Sequence, residues 1–254
     1  MPAAEARLPV LVVGDVHGDL ERLFPALEPY PAERWHTVFL GDLVDGGPFG
    51  VGALRFARDR PNTTVLLGNH EALMLAALGD YKRRGPGFVS WVGAGGEAHD
   101  LAELAGDEPL QEWMRNLPGL LKLEDGTLLQ HSDNDGYRRL LQAGDVDPVA
   151  AVNAAFRRLL HHDDGWTLWD VLTPRSVFRR RPGALDRWLE VTGAARVVHG
   201  HTPHRQPRPD VYHGGKAICY DGGLSRYGGG RYRQLTPLQA SVGPLVPLNT
   251  SAML

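Results

Sequence analysis

The chain has 254 residues, of which 43% are hydrophobic, 22% charged and 8% aromatic, a composition typical of globular proteins. This composition excludes a collagen, a coiled coil and a fully disordered chain, and no apolar run reaches the roughly 18 residues of a membrane span. A net charge of −3 gives no reason to expect a nucleic-acid partner. With Cys219 as the only cysteine and no signal-peptide pattern, we expect a cytoplasmic protein without disulfides.

Short apolar runs alternate with amphipathic segments through the first third of the chain. Strands are predicted at residues 8–13, 37–40 and 63–67, and helices at 19–28, 51–58 and 71–78. This alternation of strand and helix is typical of an α/β architecture.

The remaining two thirds of the chain show weaker patterns. A glycine-rich loop with Trp91 is expected at 85–96, one helix at 100–117, and a hairpin of 120–123 with 127–130 around an Asp-Gly turn. Further helices are predicted at 148–161 and 184–192, and short strands at 196–198, 217–220 and 231–235. Residues 228–230 are three glycines and are predicted to form a loop, and the segment after Ala240 is predicted to be a surface strand or a tail.

The same event follows five of the predicted strands: the apolar run stops and the next residues are Asp, His or Asn. The chemistry-bearing residues of these five loops are Asp15 and His17, Asp42 and Asp45, Asn69 and His70, His131, and His199 and His201. Ligands of α/β sheets bind just beyond the carboxyl ends of the strands. We therefore expect the five loops to converge on one site.

Carboxylate, imidazole and amide oxygen together suit a hard or borderline metal ion, with Mn, Fe or Zn favoured over Ca. The candidate ligands are too many for one ion, whereas two ions sharing a bridging carboxylate would use them. Two ions roughly 3.5–4 Å apart clamp both oxygens of an in-line phosphoryl displacement and generate the attacking hydroxide. The sequence thus predicts a site for two divalent metal ions.

The ordered motifs Asp-x-His, Gly-Asp-x-x-Asp, Gly-Asn-His-Glu, a lone His and Gly-His-Thr resemble those of the calcineurin-like metallophosphoesterase superfamily. The resemblance covers about residues 10–202 and is nearest to the PPP-type bacterial and phage serine/threonine phosphatases and the symmetrical diadenosine tetraphosphatases. Trp91 with its following Gly-Gly-Glu, and the later segment that begins at Asp221, also resemble that branch. The resemblance implies a four-layer α/β/β/α sandwich with two mixed sheets. It would form one domain over residues 1–254, with cover segments at about 79–117 and 133–192.

The resemblance also implies a role for each motif residue. Asp15 and His17 would bind the first metal ion, and Asp42 would bridge both ions. The second ion would be bound by Asn69, His131 and His201. His70 would be the general acid for the leaving oxygen, with Asp45 orienting it, and imidazole titrates in the range that this role needs. The ions would most simply be Mn.

Two departures from the PPP-type pattern concern the substrate. Gly46 and Leu67 stand where relatives carry arginines that grip a phosphate monoester. The candidates to replace them are Arg175, Arg179, Arg180 and Arg181, of which we favour Arg175. The first hypothesis is a phosphatase that acts on phosphate monoesters, either phosphoproteins or small molecules. The alternative is a phosphodiesterase or a dinucleoside polyphosphate hydrolase, because a diester carries one fewer charge.

A third hypothesis, from another class, is a binding module without catalysis, against which the complete set of motif residues argues. Considered alone, several of these side chains have ordinary interpretations: Asp15 would be a helix cap and His131 a core histidine. Trp91 is expected to serve lid or core packing, and His199 a structural role. His204 is left out of the predicted ligands because Pro203 shifts its spacing by one residue.

Overall fold

The computed structural model describes residues 8–162, 164–227 and 237–248. In this part of the chain, a first sheet has four strands, β1 (Val10–Val13), β2 (His36–Phe39), β3 (Thr63–Val65) and β9 (Val242–Pro244). Their order is β3-β2-β1-β9, with β1, β2 and β3 parallel and β9 antiparallel to β1. The segment after Ala240 therefore provides an edge strand.

The second sheet contains five strands among the same residues, β4 (Leu120–Lys122), β5 (Thr127–Gln130), β6 (Arg196–His199), β7 (Asp210–Tyr212) and β8 (Ala217–Cys219). Their order is β4-β5-β6-β8-β7. The pairs β5–β6 and β6–β8 are parallel, and the two outer pairs are antiparallel. Both sheets are mixed, as expected, and the predicted hairpin of β4 and β5 is confirmed.

Helices surround the sheets. They are α1 (Leu20–Leu27), α2 (Gly50–Asp59), α3 (Asn69–Asp80), α4 (Pro86–Gly93), α5 (Ala98–Ala105), α6 (Glu108–Arg115), α7 (Pro148–His161), α8 (Trp169–Leu172), α9 (Val177–Arg180) and α10 (Pro182–Thr192). None of the helices formed by the described residues is long and apolar enough to cross a membrane.

The side chains of the strands divide between two cores because successive residues of a strand face opposite sides. The core between the sheets is formed by Val12, Val38, Leu40, Leu66, Leu129, Val198, Ile218 and Tyr220. Leu11 and Val13 face the other way, into the core shared with helices such as α1 and α2. Since helices cover the outer face of each sheet, the expected α/β/β/α layering is confirmed.

Three predictions of local structure differ from the fold. The predicted helix at 100–117 is two helices, α5 and α6, because Asp107 leaves the helical conformation and its carboxylate accepts the N–H of Leu110 at 3.1 Å to begin the second helix. The glycine-rich loop at 85–96 contains α4, and the edge strand β7 was not predicted. The predicted strand at 231–235 and loop at 228–230 lie outside the described residues.

Candidate active site

The five chemistry-bearing loops meet at the carboxyl ends of the parallel strands. Asp15 follows β1, Asp42 follows β2, Asn69 begins α3, His131 follows β5 and His201 follows β6. Each of these five residues is buried. Their side chains therefore share one polar cluster where the ends of both sheets meet, as the strand pattern predicts.

The backbone is strained at this cluster. Four of its residues, His17, Asp42, Asp45 and His201, have φ between 44° and 64°, the left-handed region that non-glycine residues rarely adopt. Such strain persists only where the surrounding structure imposes it, and it concentrates at functional sites. The loops therefore hold these side chains in position at the expense of a less favourable backbone conformation.

Asp42 lies at the centre of the cluster. Its Oδ1 accepts the backbone N–H of His70 at 3.0 Å. Its Oδ2 is 3.5 Å from Nε2 of His131, 3.8 Å from Nδ1 of His201 and 3.9 Å from Nε2 of His17. Among the described residues, this buried Oδ2 has no hydrogen-bond partner. Burying a carboxylate oxygen without a hydrogen-bond partner is energetically unfavourable, so we expect a cation beside this Oδ2.

The histidines around Asp42 are oriented from behind by backbone carbonyls. Nδ1 of His17 faces the carbonyl of Val44 at 3.1 Å, and Nδ1 of His131 faces that of Leu40 at 2.9 Å. We assign the N–H to these nitrogens, which leaves a lone pair on each Nε2 towards Asp42. Metal-binding histidines are commonly fixed in this way, by a hydrogen bond from the ring nitrogen that does not bind the metal.

Potential metal-binding atoms also lie close to one another in this cluster. Nε2 of His131 is 3.0 Å from Oδ1 of Asn69 and 3.1 Å from Nδ1 of His201. Burial opposes protonation of His131, but the charge of Asp42 raises its pKa to about 9. The position thus attracts positive charge, and the mixture of nitrogen and oxygen donors fits a divalent ion.

Asp15 adds a second carboxylate on the His17 side. Its Oδ2 is 3.9 Å from Nε2 of His17, and its Oδ1 accepts the backbone N–H of His201 at 3.0 Å. Burial, and then the charge of Asp42, raise the pKa of Asp15 to about 7. Two crowded carboxylates of this kind are stabilised by cations placed between them.

His70 lies beside His17 and Asp42, and its ring is paired with Asp45. Its Nδ1 donates to Oδ2 of Asp45 at 2.9 Å. Burial lowers the pKa of His70, but the charge of Asp42 and the hydrogen bond and charge of Asp45 raise it to about 9. The imidazole therefore carries a proton, and it lines a cavity that lies over the cluster.

Asp45 is itself held by two donors. Nε1 of Trp91 lies 3.0 Å from each of its carboxylate oxygens, and the backbone N–H of Glu97 donates at 3.2 Å. The expectation that Trp91 serves lid or core packing is thus incomplete, because its indole also orients Asp45. The Trp and Gly-Gly-Glu motif was the signal that could have identified this contact.

Glu71 is a functional residue that the sequence interpretation missed. Its buried carboxylate accepts four backbone N–H groups, from Asp42 at 2.9 Å, Leu43 at 2.7 Å, Val44 at 3.2 Å and Gly68 at 3.0 Å. It therefore ties the loop after β2 to the start of α3. Its place in the Gly-Asn-His-Glu motif, three residues after the helix cap, was the available signal.

The open cavity over the cluster has a volume of about 570 Å³. Among the described residues, Arg175 is the only arginine that lines it, and its Nε is 3.1 Å from Nε2 of His201. Arg179 instead forms an ion pair with Asp210, and Gly46 leaves the wall open. Leu67 is fully buried.

Two further histidines of the sequence point away from this cavity. His199 is hydrogen-bonded through Nε2 to the hydroxyl of Tyr212 at 2.7 Å. His204 uses Nε2 towards the carbonyl of Cys219 at 3.1 Å, and its Nδ1 accepts the backbone N–H of Gln206 at 3.2 Å. Asp221 is a buried carboxylate on the cavity wall that the sequence interpretation did not include among the site residues.

Known proteins resemble this chain in sequence and in fold. It is 30% identical over 234 residues to a symmetrical bis(5'-nucleosyl)-tetraphosphatase of Methylococcus capsulatus, covering 76% of this chain and 80% of that one. A tetraphosphatase of the same name from Actinobacillus pleuropneumoniae is 38% identical, covering 48% of this chain and 43% of that one. The crystal structure of a cold-active protein-tyrosine phosphatase from Shewanella superposes with a TM-score of 0.65 at 18% identity, covering 97% of this chain and 83% of that one, and shows the same fold.

The family model for calcineurin-like phosphoesterases matches residues 8–205, which include all five loops of the site. This family uses divalent metal ions to hydrolyse phosphoric esters, and the cluster around Asp42 offers the donors for such ions. The chain belongs to the calcineurin-like phosphoesterase family and is a metal-dependent phosphoesterase.

Proposed function

We propose that the chain hydrolyses phosphate esters with two divalent ions, Mn²⁺ being the first to test and Fe or Zn the alternatives. The observation that carries this proposal is the unpartnered Oδ2 of Asp42, which faces nitrogen donors from both sides. One ion would be held by Asp15, His17 and Asp42. The other would be held by Asp42, Asn69, His131 and His201.

When bound, the ions supply positive charge to the phosphoryl group and activate water for the attack. The chain's own contribution to bond cleavage is the proton on His70, delivered to the leaving oxygen. Although His70 lies close enough to His17 and Asp42 to share a cation with them, its 2.9 Å hydrogen bond to Asp45 favours the acid role. Asp45, fixed by Trp91, keeps this imidazole charged and aimed.

Arg175 is the group that we propose for the free oxygens of the phosphoryl group. Nε2 of His201 lies near both Nε of Arg175, at 3.1 Å, and the carbonyl of Thr173, at 3.0 Å. Because Nδ1 of His201 faces Asp42 at 3.8 Å, we place the ring proton on Nε2, where it donates to the carbonyl of Thr173. Arg175 then has its donors available for an anion in the cavity.

Phosphate monoesters, from small molecules or phosphoproteins, are the first substrate class, because Arg175 supplies a full positive charge at the cavity. Dinucleoside polyphosphates or diesters are the second candidate. Two observations favour that second class: Gly46 leaves the wall open where an arginine is expected, and the relatives from Methylococcus and Actinobacillus are named tetraphosphatases. A reacting phosphoryl group with one fewer charge needs fewer arginines.

We further infer that residues 1–254 form one domain, whose segments at about 79–117 and 133–192 cover the site. The lining of the cavity supports this, because Gly93, Gly95 and Glu97 come from the first segment and Arg175 from the second. Cys219 is buried, which agrees with the cytoplasmic setting that we propose.

The test is a substrate panel on protein stripped with EDTA and reconstituted with Mn²⁺. Turnover is measured on p-nitrophenyl phosphate, bis(p-nitrophenyl) phosphate and diadenosine tetraphosphate, with Asp42→Asn as the inactive control. Preference for the first compound supports the monoester class, and preference for either of the others supports the second class. A wild-type protein that binds Mn²⁺ but hydrolyses none of the three would refute the proposal.

A further inference from the structure

This inference rests on the proposed function. The two ion positions of that function differ in the number of protein groups available to bind the ion. The position beside His131 has four protein donors, and the position beside His17 has three, Asp15, His17 and Asp42. His204 does not make up the difference, because both of its ring nitrogens are engaged by the backbone.

Asp221 lies on the side that has fewer donors. It follows β8, is 2% exposed, and lines the cavity together with Asp15 and His17. Its Oδ1 accepts the backbone N–H of Gly223 at 3.1 Å. Its Oδ2 is buried and has no hydrogen-bond partner in the described part of the chain, a property it shares with Oδ2 of Asp42.

The segment that carries Asp221 is fastened to the loop after β1. The hydroxyl of Ser225 donates to the carbonyl of His17 at 3.4 Å, and Arg226 bonds Asp19 through its backbone N–H at 2.9 Å and its guanidinium at 3.1 Å. A Cβ on Gly14 would collide with the carbonyl of Tyr220, so the two segments are in backbone contact. This docking fixes the position of Asp221 relative to Asp15 and His17.

A buried carboxylate oxygen without a donor is destabilising, and a second carboxylate nearby adds repulsion. Burial, and then the charge of Asp15, raise the pKa of Asp221 to about 8. No described protein group donates a hydrogen bond to Oδ2, and the charges of Arg175 and His17 counteract the rise in pKa only in part, whereas a divalent ion between Asp15, His17 and Asp42 would offset the cost directly.

We propose that Asp221 is a fourth protein group for the ion held by Asp15, His17 and Asp42, acting through its unpartnered Oδ2. It acts either on the ion itself or through a water bound to it. In both cases the carboxylate is a determinant of affinity at this one position. The position beside His131 is already supplied by Asn69 and His201 and does not depend on it.

The experiment titrates Mn²⁺ into EDTA-stripped wild type and Asp221→Asn by calorimetry at one pH. We expect the variant to weaken one of the two binding steps about 10–100-fold, the usual effect of removing a carboxylate that supports a metal site. The other step should stay within twofold of wild type. Glu190→Gln is the control, because this carboxylate is exposed on α10 and does not line the cavity, and both steps should be unchanged.

Thermal unfolding separates this role from a structural one. Because Asp221 is a repelled, unpartnered carboxylate, the metal-free Asp221→Asn protein should unfold at the same or a higher temperature than metal-free wild type. Its gain in unfolding temperature on adding Mn²⁺ should be smaller. Asp221→Glu keeps the charge on a longer stem and should recover part of the lost affinity.

The inference is overturned if both Mn²⁺ affinities of Asp221→Asn equal those of wild type, or if both fall equally. It is also overturned if metal-free Asp221→Asn is destabilised while its Mn²⁺ affinities are unchanged, the result expected of a structural residue. Wild type that binds none of Mn²⁺, Fe²⁺ and Zn²⁺ refutes the proposed function and this inference together, whereas a wild type with two sites and an unaffected variant refutes only the inference.

Discussion

Replacing Glu71 by alanine tests whether this carboxylate holds the loop that carries Asp42. Its two oxygens accept four backbone N–H groups over 2.7–3.2 Å, and Oε1 and Oε2 take two each. Hydrogen bonds to a charged acceptor contribute about 1.5–3 kcal/mol each, so four lost bonds cost at least about 6 kcal/mol. The loss would leave the donors of Asp42 and Gly68 buried without partners.

An opposing effect reduces this figure. Burial, and then the charge of Asp42, raise the pKa of Glu71, so removing its charge relieves repulsion. Like charges about 4 Å apart repel by roughly 4 kcal/mol at an effective dielectric constant of about 20. The hydrogen bonds outweigh this relief, and the free energy of unfolding of Glu71→Ala should fall by about 2 kcal/mol. Glu71→Gln keeps one oxygen acceptor, so its stability should lie between alanine and wild type.

Urea unfolding of EDTA-stripped protein measures these differences without a contribution from metal binding. Glu190→Gln, at an exposed position of α10, is the control and should match wild type. If Glu71→Ala proved as stable as wild type, repulsion by Asp42 would outweigh the four hydrogen bonds. The assignment of Glu71 as the group that holds this loop would then be wrong.

Three further substitutions separate metal binding from proton transfer. His70→Ala should lower kcat by about 10²–10³-fold while metal analysis still finds two ions, because the residue supplies a proton and not a ligand; loss of an ion would contradict that role. Asp42→Asn should lose metal and activity together, since a neutral amide bridges two cations poorly, and undiminished metal content would refute the bridging assignment. Trp91→Phe removes the indole N–H from Asp45 and should lower kcat about tenfold at unchanged metal content. This decrease corresponds to about 1.4 kcal/mol in the activation free energy, the size of one hydrogen bond. An unchanged kcat would show that the indole serves packing alone.

Much of the site was predictable because its signals are local. Each predicted ligand directly follows an apolar strand, and strand ends of one sheet lie along the same edge. The strand pattern therefore places Asp15 and Asp42 at one sheet edge, whereas His131, which follows β5 of the second sheet, was assigned to the same site through the resemblance of the ordered motifs. The two mixed sheets followed from the resemblance of the ordered motifs, not from the strand pattern itself.

The groups that hold the site were harder to predict because they act across the chain. Asp100 looks like an ordinary residue at the start of a helix, yet its buried carboxylate accepts the N–H groups of Asp45 at 3.2 Å and Val51 at 3.1 Å, about 50 residues away. Trp91 reaches Asp45 over a similar separation. Neither the periodicity nor the composition of the sequence indicates such contacts between distant residues.

The prediction of local structure was wrong where one polar side chain outweighed a periodic pattern. The apolar positions of 100–117 suit one helix, but the carboxylate of Asp107 caps a new one and is also paired with Arg55 at 2.8 Å. Strand β7 was missed because it has only three residues and lies at a sheet edge, where Val211 is half exposed and the alternation is weak.

The two carboxylate oxygens left without partners, on Asp42 and Asp221, connect the fold to the proposed chemistry. Folding places both carboxylates where no described protein group satisfies them, and that arrangement opposes stability unless cations restore the balance. Metal binding should therefore contribute to the stability of the folded chain as well as to its activity. The strained backbone of His17, Asp42 and His201 has the same explanation. Its conformational cost is offset when cations bind the side chains that this backbone positions.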